Sequence, residues 1–469
     1  MLKLPNRRKS YSYYGNSYYG KPKRQPKKLL LWLIISVPVA IASLELLARA
    51  YVGIMGKSEE MGSLSPLTKA YNLKFLTKSD KPVEGIDHLG SLAVKRSDAV
   101  GYQLVGNQKN QFLQINQQGF RDKDALPIAK PKNEIRIFIL GGSTAFGQWN
   151  QNNEQTIAAQ LETLLQQRVA QQKRNPDKYR PDVFPFFVPS REKLVGLAPK
   201  IREGQYRVIN AAVPGYTSGN QLAQLALQIL PYQPDAIVVL DGYADLMLPS
   251  SKTQQEIPHI DEFLGDASAH LRASIGQSVE QLSKSFYLIN TVNSLIFKSE
   301  PNIAQKSLAV NPDNKSLAQS LPSDEAELNR RKERYQENQK QLISLSTKVG
   351  IPVILTLQPE ITSRPLEQLS SQEKAIREQL GQDYTQKMPK AYEKFVQVNQ
   401  QLAKTFPNNV KVLNLYQLDR NFPIPTFSDA IHLSDKANAA IAQKLYQSIT
   451  NFEKMQIIPQ NYYLKEPNK

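Results

Sequence analysis

The chain has no cysteine among its 469 residues. That excludes a disulfide framework, a thiolate-ligated metal, a thiol nucleophile and the lipid-bearing cysteine of a bacterial lipoprotein. Histidine is nearly as scarce: there are four, His88, His259, His270 and His432, with no HExxH and no pair at metal-ligand spacing. Neither a metal centre nor another cofactor is expected. Acidic residues are missing from the first 28 positions, which hold nine Lys or Arg. The formal net charge is +17, so this tail holds more than half of it and the rest of the chain carries +8. A basic balance concentrated in one appendage gives little support to nucleic-acid binding, and no nucleic-acid partner is expected.

Residues 29–44 (LLLWLIISVPVAIASL) carry no charge, and the apolar pattern runs on through LELLARAYVGIM to Met55. Crossing a bilayer takes about 20 such residues. Residues 29–55 reach that length, with Glu45 and Arg49 four apart and able to pair on one helical face. They are expected to form a transmembrane signal-anchor helix in contact with membrane lipid. The cations just upstream would hold the N-terminus in the cytoplasm and place everything after residue 55 outside the plasma (inner) membrane. A cleaved signal peptide is the competing reading, because Ala40-Ile41-Ala42 has the A-x-A form of a cleavage site. Residues 1–28, in which SYYG occurs twice, have the composition of a disordered tail. Residues 56–130 read as an extracytoplasmic lead-in, 131–450 as the folded domain and 451–469 as a C-terminal tail.

Within that domain, short apolar runs alternate with helical patterns. Strands are expected at 135–140 (IRIFIL), 206–210, 236–240, 351–357 and 410–415, and helices near 154–170, 218–230, from 324 and over 434–449. Such alternation predicts an α/β fold, a three-layer α/β/α sandwich around a five-stranded parallel sheet. Three insertions interrupt it: 172–205, 250–323, and 362–405, the last read as a charged helical hairpin or lid. Because they leave from strand ends, several can wall a pocket there.

Two segments carry candidate chemistry. The first strand ends in Gly141-Gly142-Ser143-Thr144-Ala145-Phe146-Gly147. Its glycine spacing suits a phosphate-binding loop, but Gln148-Trp149 stands where the Lys-Ser/Thr pair is required, and no GxGxxG is present. What remains is a serine on a strand–turn–helix junction, where backbone N–H groups favour developing negative charge. Capping a helix is the alternative role for Ser143. The second segment, Asp429-Ala430-Ile431-His432, lies between the last strand and the last helix, hence at the same edge of a parallel sheet. A carboxylate three residues before a histidine can fix the imidazole tautomer while the other ring nitrogen faces a hydroxyl.

These blocks, in this order, resemble the SGNH or GDSL-type serine hydrolase family over about residues 115–449. Gly141-Gly142-Ser143 is similar to the first family block, with Gly142 in place of Asp; Asn210 to Tyr216 is similar to the second, whose glycine is Gly215; Asp429 and His432 match the last. The third block, GxND, is similar to Gly242-Tyr243-Ala244-Asp245 but is broken at Ala244. Upstream, Ile115 to Arg121 resembles the INxxGFR segment of membrane-anchored bacterial members. The resemblance implies a flavodoxin-like SGNH fold with Ser143 as nucleophile, His432 as general base and Asp429 as its orienter. It also implies an oxyanion hole from the N–H groups of Ser143 and Gly215. The family's third donor is an Asn side chain, which Ala244 cannot supply; Tyr243 and Asn220 are candidate replacements. The implied activity is hydrolysis or transfer of acyl esters, most simply O-acetyl esters, with an O-acylated envelope glycan as substrate. A catalytically weak binding or scaffold protein of envelope assembly is the alternative. His88, His259 and His270 belong to no such motif, and the charged helix around 329–340 reads as a solvated face.

Overall fold

A computed structural model of the protein describes residues 65–83, 86, 90–183, 187–258, 303–311, 313–418, 421–459 and 462. The basic tail, the expected anchor helix at 29–55, and His88, His259 and His270 lie outside these residues. Among the described residues no helix is long and apolar enough to cross a membrane.

The lead-in has structure of its own. Helix α1 (Pro66–Tyr71) precedes strands β1 (Leu73–Leu76), β2 (Leu92–Ser97) and β3 (Gly101–Leu104), then β4 (Gln108–Lys109) pairs with β5 (Gln114–Ile115). β1 lies parallel to β2, and β3 antiparallel to it. These strands are short and bury mainly alternate positions, so they leave a weaker imprint in sequence than the central strands do.

The main sheet follows. In chain order come β6 (Glu134–Gly141), α2 (Ser143–Phe146), α3 (Ile157–Arg174), α4 (Val188–Val195), β7 (Gln205–Asn210), α5 (Ser218–Gln224), β8 (Ala236–Asp241) and α6 (Tyr243–Met247). After these stand α7 (Ile303–Ser307), α8 (Leu317–Ser320), α9 (Glu325–Lys348), β9 (Val353–Leu357), α10 (Ser371–Thr405), β10 (Val410–Asn414) and α11 (Asp435–Thr450). The five strands from β6 to β10 pair in the order β10-β9-β8-β6-β7, every pair parallel. Counted among themselves this is the 2-1-3-4-5 order of flavodoxin-like sheets. The chain leaves β6 in one direction for β7 and returns in the other for β8, β9 and β10. Right-handed crossovers then require helices on both faces. Accordingly α3 packs with α11 and β7, whereas α9 packs with α5 and α10, and α10 with β9 and β10.

β6 and β8 are buried at every position, which is why they read as unbroken apolar runs rather than alternating ones. Each fully buried Val, Ile or Leu there contributes about 1.5–3 kcal/mol by leaving water. α3 starts at Ile157 because the Thr156 hydroxyl accepts the Ala159 N–H at 3.3 Å.

Two expectations need correction. The 362–405 segment is helical, as expected, but less of a charged surface than its composition suggests: α10 has two arms, broken at Gly381 (φ 76°, ψ 171°). Tyr384, Met388, Tyr392 and Phe395 recur at helical spacing and are buried, Phe395 stacking on Tyr335 of α9 and Tyr392 on Tyr416 beyond β10. This apolar stripe makes the second arm part of the helical layer. The expected tail after 450 is also packed in its first residues. Phe452 and Met455 are buried, and Ile457 N–H donates to the Lys200 carbonyl at 3.0 Å. Of the 250–323 insertion, the described end (α7 and α8) packs against α10.

Candidate active site

β6 lies at the point of the sheet where the chain reverses direction, and α2 begins directly at its C-terminal end. In open parallel sheets this crevice is where ligands bind. Ser143 is the first residue of α2, a single turn closed at Gly147, whose N–H reaches the Ser143 carbonyl at 3.1 Å. Gly147 adopts φ 88°, and a Cβ there would collide with the Asn150 side chain.

The loop between β10 and α11 supplies the other two side chains. His432 Nε2 lies 2.7 Å from Ser143 Oγ, and His432 Nδ1 lies 2.6 Å from Asp429 Oδ2. The three residues form a Ser–His–Asp relay. Its members are buried: Ser143 is 7% exposed, His432 1% and Asp429 0%.

Local hydrogen bonds hold the loop in shape. Asp429 Oδ1 accepts the backbone N–H groups of Ile431 and His432, both at 2.9 Å, while Ser428 N–H donates to the His432 carbonyl at 2.8 Å. Ser434 caps α11. Burial by itself would raise the Asp429 carboxyl. The adjacent His432, with the hydrogen bonds from His432 and Ile431, more than offsets this and holds it below the usual carboxylate range. Asp429 therefore keeps its charge to lower pH than a free carboxyl does.

One member of the site has no counterpart among the sequence-based candidates. Trp149 Nε1–H donates to Asp429 Oδ2 at 2.8 Å and lies 3.1 Å from His432 Nδ1, with its ring edge-on to the imidazole at 5.8 Å. It adopts φ 70°, unusual outside glycine, and its ring meets Tyr71 edge-on. Beneath it, buried Arg121 donates to the carbonyls of Phe146 and Gly147, at 3.0 and 2.7 Å, and to Tyr71 Oη at 2.8 Å. A cation at the open C-terminal end of α2 is electrostatically favourable and fixes the turn that carries Ser143.

The second turn comes from β7. Val213 N–H donates to the Gly141 carbonyl at 3.1 Å, which seats residues 213–216 beside the Ser143 turn. Gly215 adopts φ 88°, and a Cβ there would collide with the Tyr102 hydroxyl, which itself donates to the Pro214 carbonyl at 2.7 Å. The lead-in sheet thus buttresses this turn.

Neither candidate for the missing third donor is free for that task. Asn220 spends its amide on the Val100 and Gln255 carbonyls (3.0 and 2.8 Å) and caps α5 with its oxygen. The Tyr243 hydroxyl lies 3.3 Å from that of Tyr384, whose one proton goes to Glu360 at 3.2 Å, so Tyr243 directs its own proton to Tyr384 inside a buried cluster. Asp245, two residues further on, accepts the Ser218 N–H at 2.8 Å and hydroxyl at 2.6 Å, tying α6 to the start of α5.

Glu360, just past β9, is fully buried. Its carboxylate accepts from the Thr362 N–H at 2.9 Å and the Tyr384 hydroxyl at 3.2 Å, and the next residue, Ile361, donates its N–H to the Ala430 carbonyl at 2.9 Å. Burial raises this carboxyl from 4.5 to about 7, the hydrogen bonds offsetting only part of the effect. A raised carboxyl binds its proton more tightly folded than unfolded. Its contribution is therefore fully present below the unfolded value and is lost as pH rises to about 7, a loss on the order of 3 kcal/mol. Glu360→Gln is expected to remove that loss: scanning calorimetry should show the variant gaining stability over wild type near pH 8 but not near pH 4. An equal difference at both values would reject this.

No protein-family model and no curated protein matches the chain. Solved structures do. A lipase/acylhydrolase from Enterococcus faecalis is 13% identical, with 67% of this chain and 95% of that one covered and a TM-score of 0.33. The acetyl xylan esterase AlAXEase is 13% identical, with 67% and 100% covered and a TM-score of 0.32. A catalytic mutant of an acetylxylan esterase from Geobacillus stearothermophilus is 12% identical, with 69% and 96% covered and a TM-score of 0.31. The chain is similar to solved GDSL-type lipases and acetyl xylan esterases. At such identities and scores no activity is carried over from them, and the functional reading stands on the residues described above.

Proposed function

We propose that this protein is an SGNH-type serine esterase or acyltransferase that cleaves acyl esters through Ser143, His432 and Asp429. The observation that carries this reading is the buried relay, with 2.7 Å between Ser143 Oγ and His432 Nε2 and 2.6 Å between His432 Nδ1 and Asp429 Oδ2. Ser143 Oγ attacks the ester carbonyl carbon as its proton passes to His432 Nε2. Asp429 keeps the other imidazole proton on Nδ1 and balances the imidazolium charge. The carbonyl oxygen, now an oxyanion, takes hydrogen bonds from the N–H groups of Ser143 and Gly215. The ester C–O bond then breaks, and His432 returns the proton to the departing alcohol. Water, or the hydroxyl of an acceptor, attacks the acyl-serine by the reverse steps and frees Ser143.

Without a third donor the oxyanion is held less firmly. Loss of one such hydrogen bond costs about 10²–10³ in rate. Slow catalysis, or a binding role in envelope assembly, is therefore the second reading, and Ala244 with the engaged Asn220 and Tyr243 is what favours it. Turnover of p-nitrophenyl esters and labelling by a fluorophosphonate, each lost in Ser143→Ala, support the enzyme; identical rates in both proteins reject it.

Trp149 is proposed as a positioning residue. A hydrogen bond to a charged acceptor contributes about 1.5–3 kcal/mol. Trp149→Phe keeps the edge-on ring and loses that bond, so kcat should fall roughly 10- to 100-fold with little change in KM. Steady-state kinetics would reject this role if kcat stayed at the wild-type value.

We further propose that residues 29–55 anchor the chain in the inner membrane with the relay outside, where an O-acylated envelope polysaccharide would be the ester substrate. Immunoblotting tests the anchor: a mature protein shorter by about forty residues would mean cleavage at the A-x-A site instead.

A further inference from the structure

A cavity of about 340 Å³ opens beside the Gly215 turn. Gly215 and Ala244 line it together with apolar Met247, Leu248 and Leu308 and with charged side chains that include Glu256, Asp313 and Arg331. None of Ser143, Asp429 or His432 contributes to the lining. The wall after α7 lies close to the turn: a Cβ on Gly215 would stand 3.1 Å from Val310 Cγ2 and 3.7 Å from Ala309 Cβ.

This arrangement bears on which part of an ester goes where. In the tetrahedral intermediate the oxyanion points to the Gly215 N–H, and the leaving oxygen must face His432, which gives it a proton. The remaining substituent, the acyl chain, leaves away from His432. The cavity is lined by Gly215 and Ala244 and by no member of the relay. An acetyl group has one methyl to place there. At roughly 30 Å³ per water-sized group, the cavity has room for about eleven. Ala244, short where the related block carries an asparagine, adds little bulk to this lining.

Resting on the esterase reading above, we infer that this cavity is an acyl-chain pocket and that the preferred acyl group is of medium length, hexanoyl to octanoyl, rather than acetyl. Each methylene entering an apolar pocket favours kcat/KM by about fourfold.

The experiment uses the full chain and two probes, p-nitrophenyl esters from acetate to octanoate and the free anions acetate and octanoate. In wild type the hexanoate ester should exceed the acetate ester in kcat/KM on the order of 10²-fold. Ala309→Trp and Leu248→Trp, which add bulk from the segments after α7 and after α6, should bring that ratio down to about threefold or less. Octanoate, but not acetate, should raise the melting temperature of Ser143→Ala and should not raise that of either tryptophan variant, whose unliganded melting temperatures report whether they fold. Ser143-dependent turnover that is flat with chain length, or an octanoate shift that survives both tryptophans, overturns the pocket and leaves the esterase standing. A melting shift with octanoate in a protein that turns over no ester supports the pocket and rejects the esterase. No shift and no turnover reject both, and a shift with an acetylated oligosaccharide but not with octanoate reassigns the cavity to the glycan part of the ester.

Discussion

Ser143→Ala is expected to lower the rate of ester cleavage by about 10³- to 10⁶-fold. The hydroxyl is the atom that bonds to the acyl carbon, and it stands 2.7 Å from His432 Nε2, the base that takes its proton. A residual rate above that in water is expected, because the Gly215 turn and the substrate contacts survive the change. Folding should be nearly unaffected: the substitution removes one side-chain hydrogen bond, a net contribution of about 1 kcal/mol. Burst kinetics with p-nitrophenyl esters and calorimetry on the same preparation separate the two effects. A variant with wild-type turnover would remove Ser143 from the chemistry.

Asp429→Asn is expected to be strongly damaging as well, with kcat lower by about 10⁴, the scale set by an amide at this place in a Ser–His–Asp relay. The reason lies in the loop. One carboxylate oxygen accepts the N–H groups of Ile431 and His432, so an asparagine keeps its carbonyl there and turns its NH2 toward His432 Nδ1. That side already receives the Trp149 Nε1–H at 2.8 Å from Asp429 Oδ2. Two donors then face each other, and the imidazole must place its proton on Nε2, where it can no longer take one from Ser143. Raising the pH does not repair a wrong tautomer, whereas an unprotonated, unoriented histidine would recover part of its rate. A pH–rate profile of the variant therefore distinguishes loss of tautomer control from loss of charge. A fall of less than tenfold would show that Asp429 does not set the tautomer.

Much of this site is legible in the chain. IRIFIL ending in Gly-Gly-Ser marks a buried strand delivering a serine to a tight turn, and DAIH before the last helix places acid and histidine at the same sheet edge. Those are local signals, each carried by a few adjacent residues. Trp149 has no such signal: its partner Asp429 is 280 residues away, and its exposed-looking sequence context, Gly-Gln-Trp-Asn, gives no hint of a positive φ or of an acceptor. Arg121 could be flagged by its segment, INQQGFR, but not its task, because the carbonyls it holds belong to the turn after Ser143. The segment at 362–405 misleads because its charges are dense, while the apolar residues that decide its packing recur only once per turn. Asn220 and Tyr243 are chemically competent donors; whether they are free depends on Val100, Gln255 and Tyr384, which lie far along the chain or in another layer.

The sequence by itself determined the fold class, the position of the charge surplus in the first 28 residues, and the serine, acid and histidine that meet. Hydrophobic period and turn chemistry are properties of neighbouring residues, so they survive without coordinates. The tertiary structure alone decided that Trp149 and Arg121 brace the relay, that the lead-in sheet supports the Gly215 turn, and that Ala244 borders a cavity rather than hiding a substitute donor. Each depends on contacts between residues far apart in the chain, and a hydrogen bond made over a few ångströms leaves no periodic trace in the order of the amino acids.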